Sequence, residues 1–279
     1  MIPEPFEYEV AESADHALEL LGRFGTDAKL LAGGHSLLPL MKLRLALPPA
    51  LVDIGRLSDL SYIRDNGDAI AVGALTCHED LQFSDVLKQH CPIVSHAAGE
   101  IGDPQVRHRG TIGGAVSHGD PAADLASVLL TLDAEFVIHS TSGDRVVPAA
   151  DFFKDLFEVD ISTQEMLTEI RIPKLQGAGW SYQKFHARAQ DWAVVGVAAV
   201  VNRSNGSIDA AVGLTTMGDT PLRARAVEEA LSSGADVATA SQEADRDTNP
   251  PDDHMGSAGY RRELSKVLTR RALEESLSR

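Results

Sequence analysis

The chain contains two Gly-Gly pairs, Gly33-Gly34 within Ala32-Gly33-Gly34-His35-Ser36 and Gly113-Gly114 within Thr111-Ile112-Gly113-Gly114-Ala115, each following an apolar run. Glycine takes positive φ without steric cost, so successive glycines let several backbone N–H groups converge on one concavity, a shape that suits the oxygens of a phosphate or diphosphate. Two such turns in one chain can grip one dinucleotide. The second pair runs on into His118-Gly119-Asp120-Pro121-Ala122-Ala123-Asp124-Leu125. Carboxylates that accept hydrogen bonds from ligand hydroxyls therefore lie a few residues beyond the anion site.

The formal charge of −16 repels phosphate backbones and anionic membranes, which argues against a nucleic-acid partner. An anionic cofactor has to be held by backbone N–H groups and helix N-termini, whose local partial charges outweigh a screened global field. Aromatic residues make up only 5%, so the core is expected to be aliphatic, with few rings for stacking. Cys77 and Cys91 are the only cysteines, too few for an iron–sulfur cluster or a four-thiolate zinc site, and they read as reduced thiols of a cytosolic protein. The ten histidines lack a tight ligand spacing, so no metal site is expected. The start Met-Ile-Pro-Glu-Pro-Phe-Glu has no signal-peptide pattern. No apolar run approaches the roughly 18 residues of a membrane span, and a soluble, cytoplasmic protein is expected.

Ser13 is placed to cap a helix through Phe24, and Ala28 to Leu31 reads as a strand leading into the first glycine loop. Ser36 stands where an N-cap belongs, before a helix from Leu37 to Leu45. Strands are expected at Leu51 to Ile54, Tyr62 to Arg64 and Ala69 to Val72, the last two joined at Asp65-Asn66-Gly67. Thr76 and Glu79 have capping-box spacing for a helix to Phe83. Helix from Ser84 to Gly99, broken near Pro92, precedes a loop from Gly102 to Gly110. A helix from Ala122 to Leu132 and strands at Glu135 to His139, Arg145 to Val147 and Leu167 to Ile172 complete the first half. The second half reads as three antiparallel strands, Trp180 to His186, Ala193 to Asn202 and Ser207 to Thr216, with a turn at Ser204-Asn205-Gly206. Helices follow at Leu222 to Leu231 and Ser257 to Leu277. The acidic stretch between them, Asp236 to Asp253, is expected to be a mobile or contact-ordered loop. The fold class is α+β.

Neither G-x-G-x-x-G nor G-x-x-x-x-G-K-[ST] occurs, which argues against a classical Rossmann domain and a phosphoryl-transfer enzyme. His35 is expected to pack or bond so as to hold its loop, since nothing nearby makes a nucleophile–base pair. Asp120 either stabilises a turn or binds a ligand; Asp124 is either a helix N-terminal charge or a ligand contact. Arg188-Ala189-Gln190-Asp191-Trp192 holds a cofactor ring or packs a domain junction, and Lys184 is a cofactor contact or a surface cation. No catalytic acid, base or nucleophile emerges.

AGGHSLLPLMKLRLALP at 32–48, IGDPQVRHRGTIGG at 101–114, DPAADL at 120–125 and EIRIP at 169–173 together resemble the FAD-binding medium subunit of molybdenum hydroxylases, of the carbon monoxide dehydrogenase type. The late segment Asp253 to Leu277 resembles that family's C-terminal domain. The resemblance implies a two-subdomain FAD-binding fold of the vanillyl-alcohol-oxidase type over 1–177, with subdomains about 1–54 and 55–177, and a C-terminal domain over 178–279 with a three-stranded antiparallel sheet and helices. It implies that Ala32, Gly33, Gly34, His35, Ser36, Thr111, Ile112, Gly113, Gly114 and Ala115 hold the FAD diphosphate, with Asp124, Leu167 and Lys184 as further contacts. His108 and Ala115 depart from the family pattern, where asparagine and a polar residue are common. The partners implied are a large molybdenum-cofactor (molybdopterin) subunit and a small iron–sulfur subunit with 2Fe–2S clusters, in a dimer of heterotrimers. Electrons would pass through FAD to quinone or another acceptor, in the cytoplasm or at the inner face of the membrane. A stand-alone flavin reductase on a similar fold is the rival reading, and it would need a substrate-side proton donor.

Overall fold

In the computed structural model, which describes residues 2–204 and 207–279, the chain opens with β1 (Glu7–Val10), α1 (Ala14–Phe24), β2 (Lys29–Leu31), α2 (Leu37–Lys42) and β3 (Ala50–Asp53). The strands form a parallel sheet in the order β1-β3-β2. The Ser13 hydroxyl accepts from the His16 N–H at 3.0 Å, as expected of a cap. The helix then lays Ala17, Leu18 and Leu21 against Ala50 and Val52. β2 ends at the first glycine loop and so delivers it to the carboxyl edge of the parallel sheet, where such sheets bind ligands.

The central part holds β4 (Ile63–Asn66), β5 (Ala69–Gly73), α3 (His78–Phe83), α4 (Asp85–His90), α5 (Pro92–Gly99), α6 (Pro104–Arg107), α7 (Ile112–His118) and α8 (Asp124–Thr131). It continues through β6 (Glu135–Ser140), β7 (Gly143–Pro148), α9 (Ala149–Phe152), β8 (Phe153–Asp155), β9 (Glu158–Val159) and β10 (Glu165–Pro173). The antiparallel order is β4-β5-β10-β6-β7, with β8-β9 a separate ribbon. The hairpin expected at Asp65-Asn66-Gly67 is present, with Gly67 at φ +79°. The capping box is not. Thr76 Oγ1 donates to Tyr62 O at 3.0 Å and accepts from Tyr62 N at 3.1 Å, and Glu79 pairs with His108. The expected loop from Gly102 contains α6, because Asp103 accepts from Val106 N at 2.9 Å and Pro104 follows at the first helical position.

The last part comprises β11 (Gly179–Phe185), β12 (Val195–Ser204), β13 (Ser207–Thr215), β14 (Leu222–Arg223), α10 (Arg225–Ser232), α11 (Val237–Ala240) and α12 (Ala258–Ser278). The sheet order is β11-β12-β13-β14. The expected helix from Leu222 begins later because Leu222 and Arg223 pair with Leu214 and Gly213, adding a fourth strand to the three expected. Of the expected turn at Ser204-Asn205-Gly206, Asn205 and Gly206 fall outside the described residues. Of the two alternatives expected for the acidic stretch, the contact-ordered one holds: Asp236 caps α11 by accepting from Thr239 N at 2.7 Å, and Ala240, Ser241 and Ala244 are buried. Small residues fit the interface there while the acids serve as caps and ion-pair partners.

Strand periodicity divides this sheet. Val195, Val197, Ala199 and Val201 join the core beneath α10 and α12. Tyr182, Ala198 and Val200 instead join the central core around α5 and α8. Lys184 shares the Tyr182 face by the same alternation. No helix among the described residues is long and apolar enough to cross a membrane.

Candidate FAD-binding cleft

A cleft of about 500 Å³ opens where the three parts meet. The loop between β2 and α2, the segment from Gly110 to Ala115, the start of α8, β10 and β11 all contribute walls. Every residue expected to contact the cofactor lines it except Ile112, whose side chain is fully buried in the central core.

The first loop is a nest with one positive φ, at Gly34 (+75°). The amides of Gly33, Gly34, His35, Ser36 and Leu37 find no acceptor among the described residues. Five successive donors of this kind suit an anion with several oxygens. Gly33 is glycine for space, since a Cβ there would collide with the Arg109 carbonyl oxygen. Ser36, expected as an N-cap, has αR dihedrals and makes no capping bond. His35, expected to hold the loop, is exposed and its ring makes no hydrogen bond among the described residues.

The second loop differs from the nest expected of it. Gly113 and Gly114 lie in the first turn of α7, and neither has positive φ. The amides of Ile112 to Ala115 are spent internally. Ile112 N donates to Thr76 O at 3.0 Å, Gly113 N to Ala74 O at 2.9 Å and Ala115 N to Thr111 O at 3.0 Å, while Gly114 N donates to Thr111 Oγ1 at 3.1 Å. A Cβ at Gly113 would stand 2.5 Å from Ala74 O, so this glycine permits α7 to press against the end of β5.

Asp124 opens α8 and is buried. It pairs with Lys184, Nζ to Oδ2 at 2.8 Å, and accepts from Tyr182 Oη at 2.6 Å. Burial pushes the Asp124 carboxyl above its ordinary pKa, and the Lys184 ammonium pulls against that shift. Lys184 is thus no surface cation: its side chain is 2% exposed. Asp120 accepts from Ala122 N at 2.8 Å and closes a turn. Gln190 and Trp192 reach the cleft rim, Trp192 remaining half-exposed.

Sequence reading missed His78 and Tyr182. His78 N donates to Gly110 O at 2.9 Å, and its buried ring lines the cleft behind the second loop. Burial, with the nearby His35 and Arg107, lowers its pKa to about 4. The signal available for Tyr182 was its position two residues before Lys184 on one strand.

A cleft of this size, five unspent amides and a buried cation fit a flavin dinucleotide: the amides suit its diphosphate and the cation its ring. The family model described as FAD binding domain in molybdopterin dehydrogenase matches residues 4–175, and that of the CO dehydrogenase flavoprotein C-terminal domain matches residues 180–276. The chain therefore belongs to the FAD-binding subunits of molybdenum hydroxylases, and is an oxidoreductase flavoprotein subunit with FAD as its cofactor. It is 39% identical over 291 residues to the carbon monoxide dehydrogenase medium chain of Hydrogenophaga pseudoflava, covering 100% of this chain and 99% of that one. It is 40% identical over 284 residues to the glyceraldehyde dehydrogenase medium chain of Sulfolobus acidocaldarius, covering 99% of each. The solved structure of Hydrogenophaga pseudoflava carbon monoxide dehydrogenase lacking the Mo-pyranopterin moiety of its molybdenum cofactor matches with a TM-score of 0.97 at 40% identity, over 100% of this chain and 99% of that chain.

Proposed function

We propose that this chain is the electron-exit subunit of a carbon monoxide dehydrogenase. It assembles with a large molybdenum-cofactor subunit and a small iron–sulfur subunit as a dimer of heterotrimers, in the cytoplasm against the inner face of the membrane. Electrons arrive from the iron–sulfur subunit and leave through FAD to a quinone. Bound FAD supplies the redox chemistry in its isoalloxazine ring. The chain's residues bind and orient it: the amides of Gly33 to Ser36 hold the diphosphate, with Ala32 and Thr111 to Ala115 walling that end. Asp124, Leu167 and Lys184 wall the other. Residues 1–177 form the FAD-binding domain, divided near residue 54, and 178–279 the C-terminal domain.

The observation that carries the reading is the run of unspent amides beside Gly33. They offset the charge of −16 locally, where a diphosphate would otherwise be repelled. With only two cysteines in the chain, the iron–sulfur centres belong to another subunit. The test is isolation of the native complex through this chain, followed by visible spectroscopy. Carbon monoxide is expected to bleach the flavin band, and quinone to restore it. Bleaching by an aldehyde but not by carbon monoxide would overturn the substrate assignment. Gly33→Ala is expected to lower FAD affinity about 100-fold, a loss of roughly 3 kcal/mol; unchanged affinity would remove the first loop from the site.

A further inference from the structure

We propose that Tyr182 is a positioning residue that, acting through Asp124, fixes the Lys184 ammonium as the donor presented to the flavin. This role rests on the cleft being the FAD site. An ammonium has three N–H donors. Lys184 commits one to Asp124 Oδ2 at 2.8 Å and one to Glu100 O at 2.9 Å. The remaining donor finds no acceptor among the described residues, although the side chain is 2% exposed and lines the cleft. A buried cation with an unspent donor points to a ligand atom that completes it.

The expectation that Asp124 serves directly as a hydroxyl acceptor is recast by the same geometry. One of its oxygens is held by Lys184 and the other accepts from Tyr182 Oη at 2.6 Å. Tyr182 is itself fixed. Its strand pairs with β12 opposite Ala198, and the adjacent Gly196 leaves room for the hydroxyl, since a Cβ there would stand 2.8 Å from Oη. Thr215, on the neighbouring strand, bonds Ser127 of α8 at 2.5 Å between hydroxyl oxygens. Burial and the Asp124 charge keep the phenol protonated, so it donates to Asp124 at any physiological pH. The chain of contacts thus ties β11 of the C-terminal sheet to the first residue of α8 and leaves the ammonium no freedom to turn from the cleft.

A positive charge held near the ring favours the more electron-rich, reduced flavin, and its counter-charge opposes this. The experiment uses the FAD-loaded complex and reads FAD affinity and flavin midpoint potential by spectroelectrochemistry. Lys184→Met is expected to shift the reduction equilibrium roughly tenfold towards oxidised flavin, about 30 mV for a two-electron couple. Asp124→Asn is expected to shift it the opposite way. Tyr182→Phe keeps the ring volume and should move the potential in the Lys184→Met direction. The double variant Tyr182→Phe/Lys184→Met should then show no more change than Lys184→Met alone, the non-additivity that marks one residue acting through another. Additive shifts, or an unmoved potential in Tyr182→Phe, would overturn the proposal. Should Tyr182→Phe fail to assemble, Asp124→Asn decides: an absent or same-direction shift overturns it. If Gly33→Ala lowers FAD occupancy while these variants leave the potential unmoved, the cleft reading stands and the positioning role falls. If none of the variants, Gly33→Ala included, affects FAD, both fall.

Discussion

The first glycine loop leaves the amides of Gly33 to Leu37 unspent, whereas the second spends those of Ile112 to Ala115 on Thr76, Ala74 and Thr111. Two motifs with the same dipeptide therefore meet different needs. In the first, Gly34 takes positive φ and Gly33 clears the Arg109 carbonyl, in a loop that lines the cleft and keeps a row of unspent donors. In the second, the glycine lets a helix approach a strand end, and the donors vanish into the packing. In the proposed reading the first loop is the ligand grip, and the second is a brace packed against the end of β5.

The sharpest way to break this comparison is Gly113→Ala. Its Cβ would lie 2.5 Å from Ala74 O and 2.6 Å from Ala74 Cβ, and backbone cannot yield as a side chain can. A loss of roughly 2–4 kcal/mol in stability is expected, of the order seen for overpacked cores. Urea unfolding of the FAD-free chain measures it. If this variant keeps its stability and sheds FAD instead, the second loop is a grip after all.

A smaller effect concerns pH. The brace leans on His78, whose backbone N–H holds Gly110 O and whose ring is buried beneath Gly110. Its pKa is lowered from 6.5 to about 4, mainly by burial. The unfolded chain therefore binds a proton that the folded chain refuses, so the stabilisation is complete above 6.5 and is lost as pH falls towards about 4. The loss reaches roughly 3 kcal/mol at most. His78→Leu should flatten the stability profile across that window by about one proton, read from urea midpoints at successive pH values. An unchanged slope would detach the histidine from the brace.

What the sequence made legible was the set of residues that gather at the cleft. Gly-Gly pairs after apolar runs, an acid opening a helix and a lysine on an alternating strand are local patterns, and all but Ile112 meet there. What it hid was which groups remain free. Two amides of the second loop, those of Ile112 and Gly113, are spent on carbonyls more than thirty residues earlier in the chain, at Thr76 and Ala74. Asp124 is taken up by Tyr182 across 58 residues. Burial hides similarly: Ala240 and Ala244 read as part of a polar loop until α12 covers them.

The mildest prediction contrasts the hydroxyls beside the two loops, Ser36 and Thr111, each of which immediately precedes a helix. Thr111 accepts from Gly114 N at 3.1 Å, whereas Ser36 makes no capping bond. Thr111→Val keeps the shape but orphans that amide at the start of α7, at a cost of about 1 kcal/mol. Ser36→Ala should change stability by less than about 0.5 kcal/mol and, because the backbone N–H remains, leave FAD affinity within a few-fold of native. Urea unfolding and FAD titration of the two variants side by side check both. A Ser36→Ala variant that loses FAD strongly would mean that the hydroxyl shares the anion with the amides, so that the grip extends from backbone to side chain. The brace would be unaffected by that result, because its cap is already satisfied within the protein.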